Sequence, residues 1–363
     1  MSSPQLVIPE NPVWKAVKLI VLLAVTVVIL GGGFVFLKEY KDSKIILTVF
    51  AVFWGVGSTG LLYTVLNALG ETFSRKVRAW LLPLIFAGPA LVLLFWFLVL
   101  PTLRTFGLSF LDETSTRFVG LENYLYAFTN PTMLESFGNN LLWLVFGTSG
   151  TVILGLIIAV LADRSRWESA FKALVFMPMA ISFVGAGVIW KFIYAYKGEG
   201  VADIGLLNAI VVAFGGQPQA WLQLAGWNNF LLIIIMVWLQ TGYAMVILSA
   251  AIKGIPSEQI EASRVDGATE FQIFFRIIIP SIMGSLITVT TTVLIFSLKL
   301  FDIVRVMTGG NFGTNVVANQ FYIEQFTFGS TGHASAIAIV LLIAIVPVLI
   351  YNLRQFAERK AFK

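Results

Sequence analysis

The chain of 363 residues contains no cysteine and a single histidine, His333. Without thiols there is no disulfide framework and no thiolate chemistry. One histidine excludes paired-histidine metal sites such as H-E-x-x-H, and no G-x-x-x-x-G-K-[ST] occurs, so this chain has no phosphate cradle of that kind. Charge is also scarce. Charged residues are 12% of the chain against 58% hydrophobic, with mean hydropathy +0.88; a soluble domain carries about 25% charged and roughly 45–50% apolar residues. The short alternating segments of a membrane β-barrel are missing too. The net charge of +5 is scattered over the ends of apolar runs rather than gathered on one face, which argues for membrane topology and against a nucleic-acid partner.

What remains is a series of long apolar runs. A bilayer core takes roughly 20 helical residues to cross, and backbone groups in lipid must be satisfied within the segment. The expected fold is therefore all-α and polytopic, with about eight spans at 15–37, 45–66, 80–103, 139–162, 172–195, 229–252, 281–303 and 333–353. The first run is too long for a signal-peptide core and no A-x-A site follows it, so it is read as a retained span. Its Gly31–Gly33 either admits a neighbouring helix closely or weakens the helix locally.

With the N-terminus inside, the cytoplasmic side holds Lys15, Lys18, Arg75, Lys76, Arg78, Arg164, Arg166, Lys172, Lys253, Arg264, Arg276, Arg354, Arg359, Lys360 and Lys363, fifteen of the 24 Lys and Arg. This bias places both termini in the cytoplasm. The loop Lys38–Lys44, with three lysines outside, runs against it, and an interfacial hairpin of the first two runs would place that loop differently.

Between the sixth and seventh runs lies EASRVDGATEFQIFFRIIIP, Glu261 to Pro280, with five charged residues. Its local grammar is helix, turn, helix. Ser257 is placed to cap a helix from Glu258 to about Asp266. Gly267 falls where a helix stop needs a left-handed residue, and Thr269–Gln272 fits a capping box. Phe271, Phe274, Phe275 and Ile278 recur at helical spacing, and Pro280 suits the start of the next span. On pattern alone, an amphipathic helix lying on the membrane surface fits.

The residue identities point elsewhere. Glu261-Ala262-Ser263, then Asp266-Gly267-Ala268, then Ile277 and Pro280 resemble the EAA loop of ABC importer permeases, whose first helix seats in a cleft of an ATP-binding subunit. FMPMAISFVGAGVIWKFIY, LFDIVRVMTGG and NNLLWLVFGTSGTVILGLIIAVLADR look like carbohydrate-uptake permeases of the maltose type, and PMAISFVGAGVIWKFIYAYKG with IGLLNAIV resembles the α-glucoside permeases of that group. The likeness covers roughly Trp80 to Lys363. The outer loop between the third and fourth runs is much shorter than in the maltose-type permease, and Asn311 stands where many relatives have Pro after Gly-Gly.

The resemblance implies a two-span extension (1–79), a six-helix permease core (80–363) and a cytoplasmic coupling loop (253–280). It implies a non-catalytic subunit in the inner membrane that binds no cofactor of its own. Its partners would be a related but different second permease, two ATP-binding cassette subunits carrying ATP and Mg, and an extracytoplasmic solute-binding protein. Glu261 is the candidate for a charge-assisted contact with a partner Arg or Lys. Asp266 is a candidate for bracing the turn. Ala262 and Ser263 are small enough for close approach, and Gly267 permits the sharp turn.

The sugar path is expected among the fifth to seventh runs. By alignment with the maltose-type permease, Met179, Phe183, Gln240, Phe296 and Ser297 fall at or near sugar-contacting positions. Ser285, Thr288, Thr292, Phe296 and Lys299 share one helical face, yet Ser and Thr stripes also serve helix packing. Trp190 offers a further flat apolar surface for a sugar. Lys299, Asp302 and Arg305, three apart, suggest pairing or a gate near the outer mouth, and His333 an interfacial side chain.

The substrate reading is α-glucosides such as maltose, trehalose or sucrose, with a polyol, glycerol phosphate or another oligosaccharide as alternatives. An ion-driven secondary transporter would need acidic residues mid-span. A membrane enzyme would need clustered chemistry that is missing here.

Overall fold

The computed structural model describes residues 12–71, 75–163, 165–198 and 205–361; Arg164 and Lys363 of the charge count lie outside them. The chain divides into two compact units, Met1–Thr102 and Leu103–Lys363. This partition groups most of the third span with the first two.

In the first unit, spans Val17–Glu39 and Lys44–Gly70 pair as long helices. Gly33 is the close-approach glycine: a Cβ there would sit 1.9 Å from the Trp54 ring nitrogen, which donates to Ile29 O at 3.1 Å. Gly31 and Gly32 have open space. Tyr63 ties the second helix to the next by donating to Phe86 O at 3.0 Å.

The second unit is built around the sixth span, Asn228–Lys253. Leu232, Ile235, Met236, Leu239, Met245 and Leu248 of that helix are all buried. The fourth span, Pro131–Asp163, runs parallel to it, with Gly147 against Met236 and Gly155 against Ala244. The Gly155 contact is tight enough that a Cβ would lie 2.5 Å from that of Ala244. Small residues let helices approach closely where lipid supplies no hydrophobic drive between them.

Two expected spans are shaped differently from the sequence reading. The fifth is not one helix. Glu168–Ala180 and Phe183–Ile193 meet at 102°. Pro178 tightens the last turn of the first half, Ile181 is extended, and Ser182 caps the second half by accepting the Gly185 N–H at 3.0 Å. The break packs on the sixth span at Gly242, where a Cβ would lie 2.7 Å from the Phe176 Cα, so a larger residue would push the two backbones apart.

The seventh span starts earlier and ends earlier than 281–303, running from Glu270 to Leu298. Pro280 therefore does not open it. A widened π-type turn at Phe274–Ile278 precedes Pro280, which accommodates a proline inside a continuous helix. Counting the bent pair as one, the spans number eight among the described residues.

Candidate functional site

The segment from Gly254 to Ile278 builds a compact projection at one end of the second unit. A short helix covers Ser257–Val265. Pro256, not Ser257, occupies its cap position, and no side chain caps it. The helix ends as expected: Gly267 has φ +83°, the Ala268 N–H reaches back to Ser263 O and the Gly267 N–H to Arg264 O, both at 3.0 Å. The capping box also forms. Thr269 Oγ1 accepts from the Gln272 N–H at 3.3 Å, and Gln272 Oε1 accepts from the Thr269 N–H at 2.8 Å. Arg264 Nε donates to Glu270 Oε1 at 2.9 Å and closes the turn from outside.

The turn of this segment is closed by its own polar groups, and the segment is rooted by apolar ones. Ile255, Ile260, Ala268 and Ile277 pack against the buried core. Glu261, Ala262, Asp266 and Gly267 are exposed, and Ser263 is half-buried, its hydroxyl donating to Ile260 O at 2.7 Å. The carboxylates of Glu261 and Asp266 take no part in the hydrogen bonds of the turn.

The anticipated greasy face divides. Ile273 and Ile278 are buried, whereas Phe271 and Phe275 stand out. Val265 is 88% exposed and Phe271 73%, so an apolar surface flanks the turn. Neither residue was singled out from sequence as a contact. The signal was there, in large apolar residues beside a turn whose helix already had enough inward anchors.

The pathway candidates separate by burial. Gln240 is buried in the sixth span, two residues before the glycine that seats the break of the fifth. Met179 lies exposed at the break, and Phe183 is half-buried on the first turn beyond it. Phe296 is 46% exposed, while its neighbour Ser297 is wholly buried, 3.4 Å from Thr148 Oγ1 and 3.5 Å from Met236 Sδ. The structure thus buries Gln240 within the sixth span and sets Ser297 in a helix contact. Thr288 and Thr292 return their hydroxyls to carbonyls of their own helix, at Gly284 and Thr288, both at 2.8 Å. Trp190 meets Trp238 edge-on, with ring centroids 5.8 Å apart.

Lys299, Asp302 and Arg305 do not share a helix face. The seventh span stops at Leu298, and a separate short helix begins at Asp302. No ion pair joins the three. Arg305 instead lies over the Tyr322 ring, 4.3 Å from its centroid. His333 stacks flat on Tyr126 at 3.9 Å and places Nδ1 3.5 Å from Glu324 Oε2.

At this opposite end the loop after the seventh span is held by an amide network. Asn139 Nδ2 donates to Gly313 O at 2.9 Å and Asn315 O at 2.7 Å, Asn229 Nδ2 to Gly313 O at 3.0 Å, and Asn228 Nδ2 to Phe312 O at 2.7 Å. Asn311 closes its turn with both its backbone N–H and its side chain on Thr308 O. A proline there would lose the first of those bonds. Glu324, only 2% exposed, accepts from Tyr126 Oη at 2.6 Å and Gln320 Nε2 at 2.8 Å. Burial pushes its pKa up, but the bonds from His333, Tyr126 and Gln320 outweigh burial and hold it below the usual value.

Residues 151–363 match the family model of the binding-protein-dependent transport system inner membrane component. The chain belongs to this family. It is a permease subunit of the ABC importer class.

Relatives align over nearly their full length. The permease is 46% identical to the alpha-glucoside transport system permease protein AglF of Rhizobium meliloti, over 85% of this chain and 94% of that protein. It is 55% identical to the osmoprotective compounds uptake permease protein GgtC of Synechocystis sp., over 77% of this chain and 100% of that one. A bacterial ABC transporter involved in import of the polysaccharide alginate has a chain of the same fold, with TM-score 0.65 and 22% identity, covering 77% of this permease and 96% of that chain.

Proposed function

We propose that this permease lines the translocation pathway of an ATP-driven importer for α-glucosides, and that its Ser257–Phe271 projection docks on an ATP-binding subunit. The observation that carries the coupling reading is the projection itself. Its turn is closed by its own capping box and Arg264–Glu270 pair, it is anchored by Ile260 and Ile277, and it presents Glu261, Ala262, Val265 and Phe271 outward. A surface rigid on its own and apolar around a charge suits a protein cleft.

The partner must bring the nucleotide chemistry, because this chain lacks a phosphate-binding loop. The full assembly would contain a second, related permease, two ATP-binding subunits with ATP and Mg, and an extracytoplasmic binding protein. The projection then faces the cytoplasm, as do both termini. Nucleotide binding shifts the spans between inward-open and outward-open arrangements through differential contacts at the docked segment.

Substrate class rests on the likeness to the α-glucoside permease. The likeness to the osmoprotective-compound permease supports a second reading, an osmoprotective compound such as a polyol. Gln240, Met179, Phe183 and Phe296 remain the candidates for contact with the sugar, by hydroxyl bonding and by flat apolar faces.

The test is a reconstituted complex in vesicles, assayed with maltose, trehalose, sucrose and a polyol. Uptake should require ATP and follow one of these compounds. Glu261→Lys should insert normally, keep ATP hydrolysis and lose uptake. Uptake by this chain in vesicles without an ATP-binding subunit would overturn the proposal.

A further inference from the structure

An ion-pair cluster sits where the projection leaves the sixth span. Lys253 is the last residue of that helix, and Gly254 begins the connection to Ser257. Lys253 Nζ donates to Glu168 Oε1, the same oxygen that receives Lys172 Nζ. Lys172 Nζ also donates to Asp163 Oδ1 and to Ser249 Oγ. Ser249 Oγ in turn donates to Asp163 Oδ1 at 2.7 Å.

Three helix ends meet here: the close of the fourth span, the start of the fifth and the close of the sixth. Asp163, Lys172 and Ser249 are largely covered, and the pair between Glu168 and Lys253 is the more exposed of the links. Glu168 opens the half-helix that ends at the break of the fifth span. That half-helix is the lever between the two regions: Glu168 at one end touches the root of the projection, and Val175 and Phe176 near the other touch Gly242 of the sixth span, next to the break that carries Met179 and Phe183.

We infer that Glu168 and Lys253 form a coupling contact, through which movement of the docked projection is passed to the broken fifth span and so to the pathway candidates Met179 and Phe183 at its break. This deepens the proposed function and rests on it. The covered triad of Asp163, Lys172 and Ser249 keeps the half-helix seated, so displacement of Lys253 is transmitted as motion of the half-helix rather than dissipated in a loose side chain. Packed interfaces have discrete arrangements, and salt-bridge and hydrogen-bond networks such as this one carry coupling between them.

A structural staple and a coupling contact differ in what they move. A staple would lower uptake and ATP hydrolysis together, with thermal stability. A coupling contact lowers the ratio of sugar imported to ATP hydrolysed. The experiment uses the full complex in vesicles and whichever of maltose, trehalose or sucrose the wild type imports fastest.

Glu168→Gln and Lys253→Gln should each reduce the ratio about five-fold or more, the lower range for coupling between sites. The double variant should fall no further than Glu168→Gln alone, which removes the contact with Lys253 together with the one to Lys172. Lys253→Gln leaves every bond of Lys172 in place, so it reports even where Glu168→Gln assembles poorly. An unchanged ratio in Lys253→Gln, or effects that simply add, would overturn the inference. Sugar uptake by the wild type without ATP-binding subunits would instead overturn the reading beneath it.

Discussion

The two ends of the second unit solve opposite problems. The Gly254–Ile278 segment is held by bonds between residues no more than six apart: the capping box, the left-handed Gly267 and the Arg264–Glu270 pair. The Thr308–Ser330 region is held by partners far away in the chain, Asn139, Asn140, Asn228, Asn229 and Tyr126. The first is self-contained and exposed, a shape fit to be handled by another protein. The second is buried and cross-linked, a shape fit to hold helix ends together. Movement is therefore expected to enter at the first and to be resisted at the second.

Breaking the cross-linked end should cost the most. Asn139→Ala removes both bonds that Asn139 donates to the loop and the one it accepts from Asn229 at 3.1 Å. Buried polar groups left unpaired cost about 1–3 kcal/mol each. Thermal unfolding in detergent should show a clear fall in Tm, with the loop after the seventh span becoming protease-sensitive.

A smaller effect is expected from pH. Glu324 has a pKa held below its ordinary value of 4.5. Its contribution is complete above that ordinary value and is lost as pH falls through the lowered one. Between about pH 6 and about pH 3.5 the wild type should lose more Tm than Glu324→Gln, whose side chain does not titrate at this position. Parallel curves for the two would show that the carboxylate adds nothing to stability.

The smallest effect belongs to the exposed end. Thr269→Ala removes a cap worth about 1 kcal/mol, on a helix continuous with the seventh span. Tm should barely move, while the ratio of transport to ATP hydrolysis falls. A Tm loss matching that of Asn139→Ala would erase the contrast between the two ends.

This contrast also explains what could be read from sequence. Gly267, the Thr269–Gln272 box and the number of spans are local signals, visible within a few residues. The break in the fifth span had a local cue in Pro178 but no cue to its angle, which depends on the close approach at Gly242. The amide network was illegible because Asn139 and Gly313 lie 174 residues apart. Lys299, Asp302 and Arg305 looked like a helical triplet until the helix ended at Leu298. Ser297 is the next residue to Phe296 and shares its candidacy for the pathway, yet burial against Thr148 separates the two. Nothing in local spacing reports which neighbour a helix face meets.

The most direct measurement is co-purification of the ATP-binding subunit with the permease carrying Val265→Asp. The side chain is 88% exposed and makes no internal bond, so the substitution should leave stability within about 0.5 kcal/mol of wild type. Loss of the ATP-binding subunit from an otherwise intact membrane complex is the predicted result. A variant that retains that subunit and imports sugar at the wild-type rate would contradict the docking role of the projection.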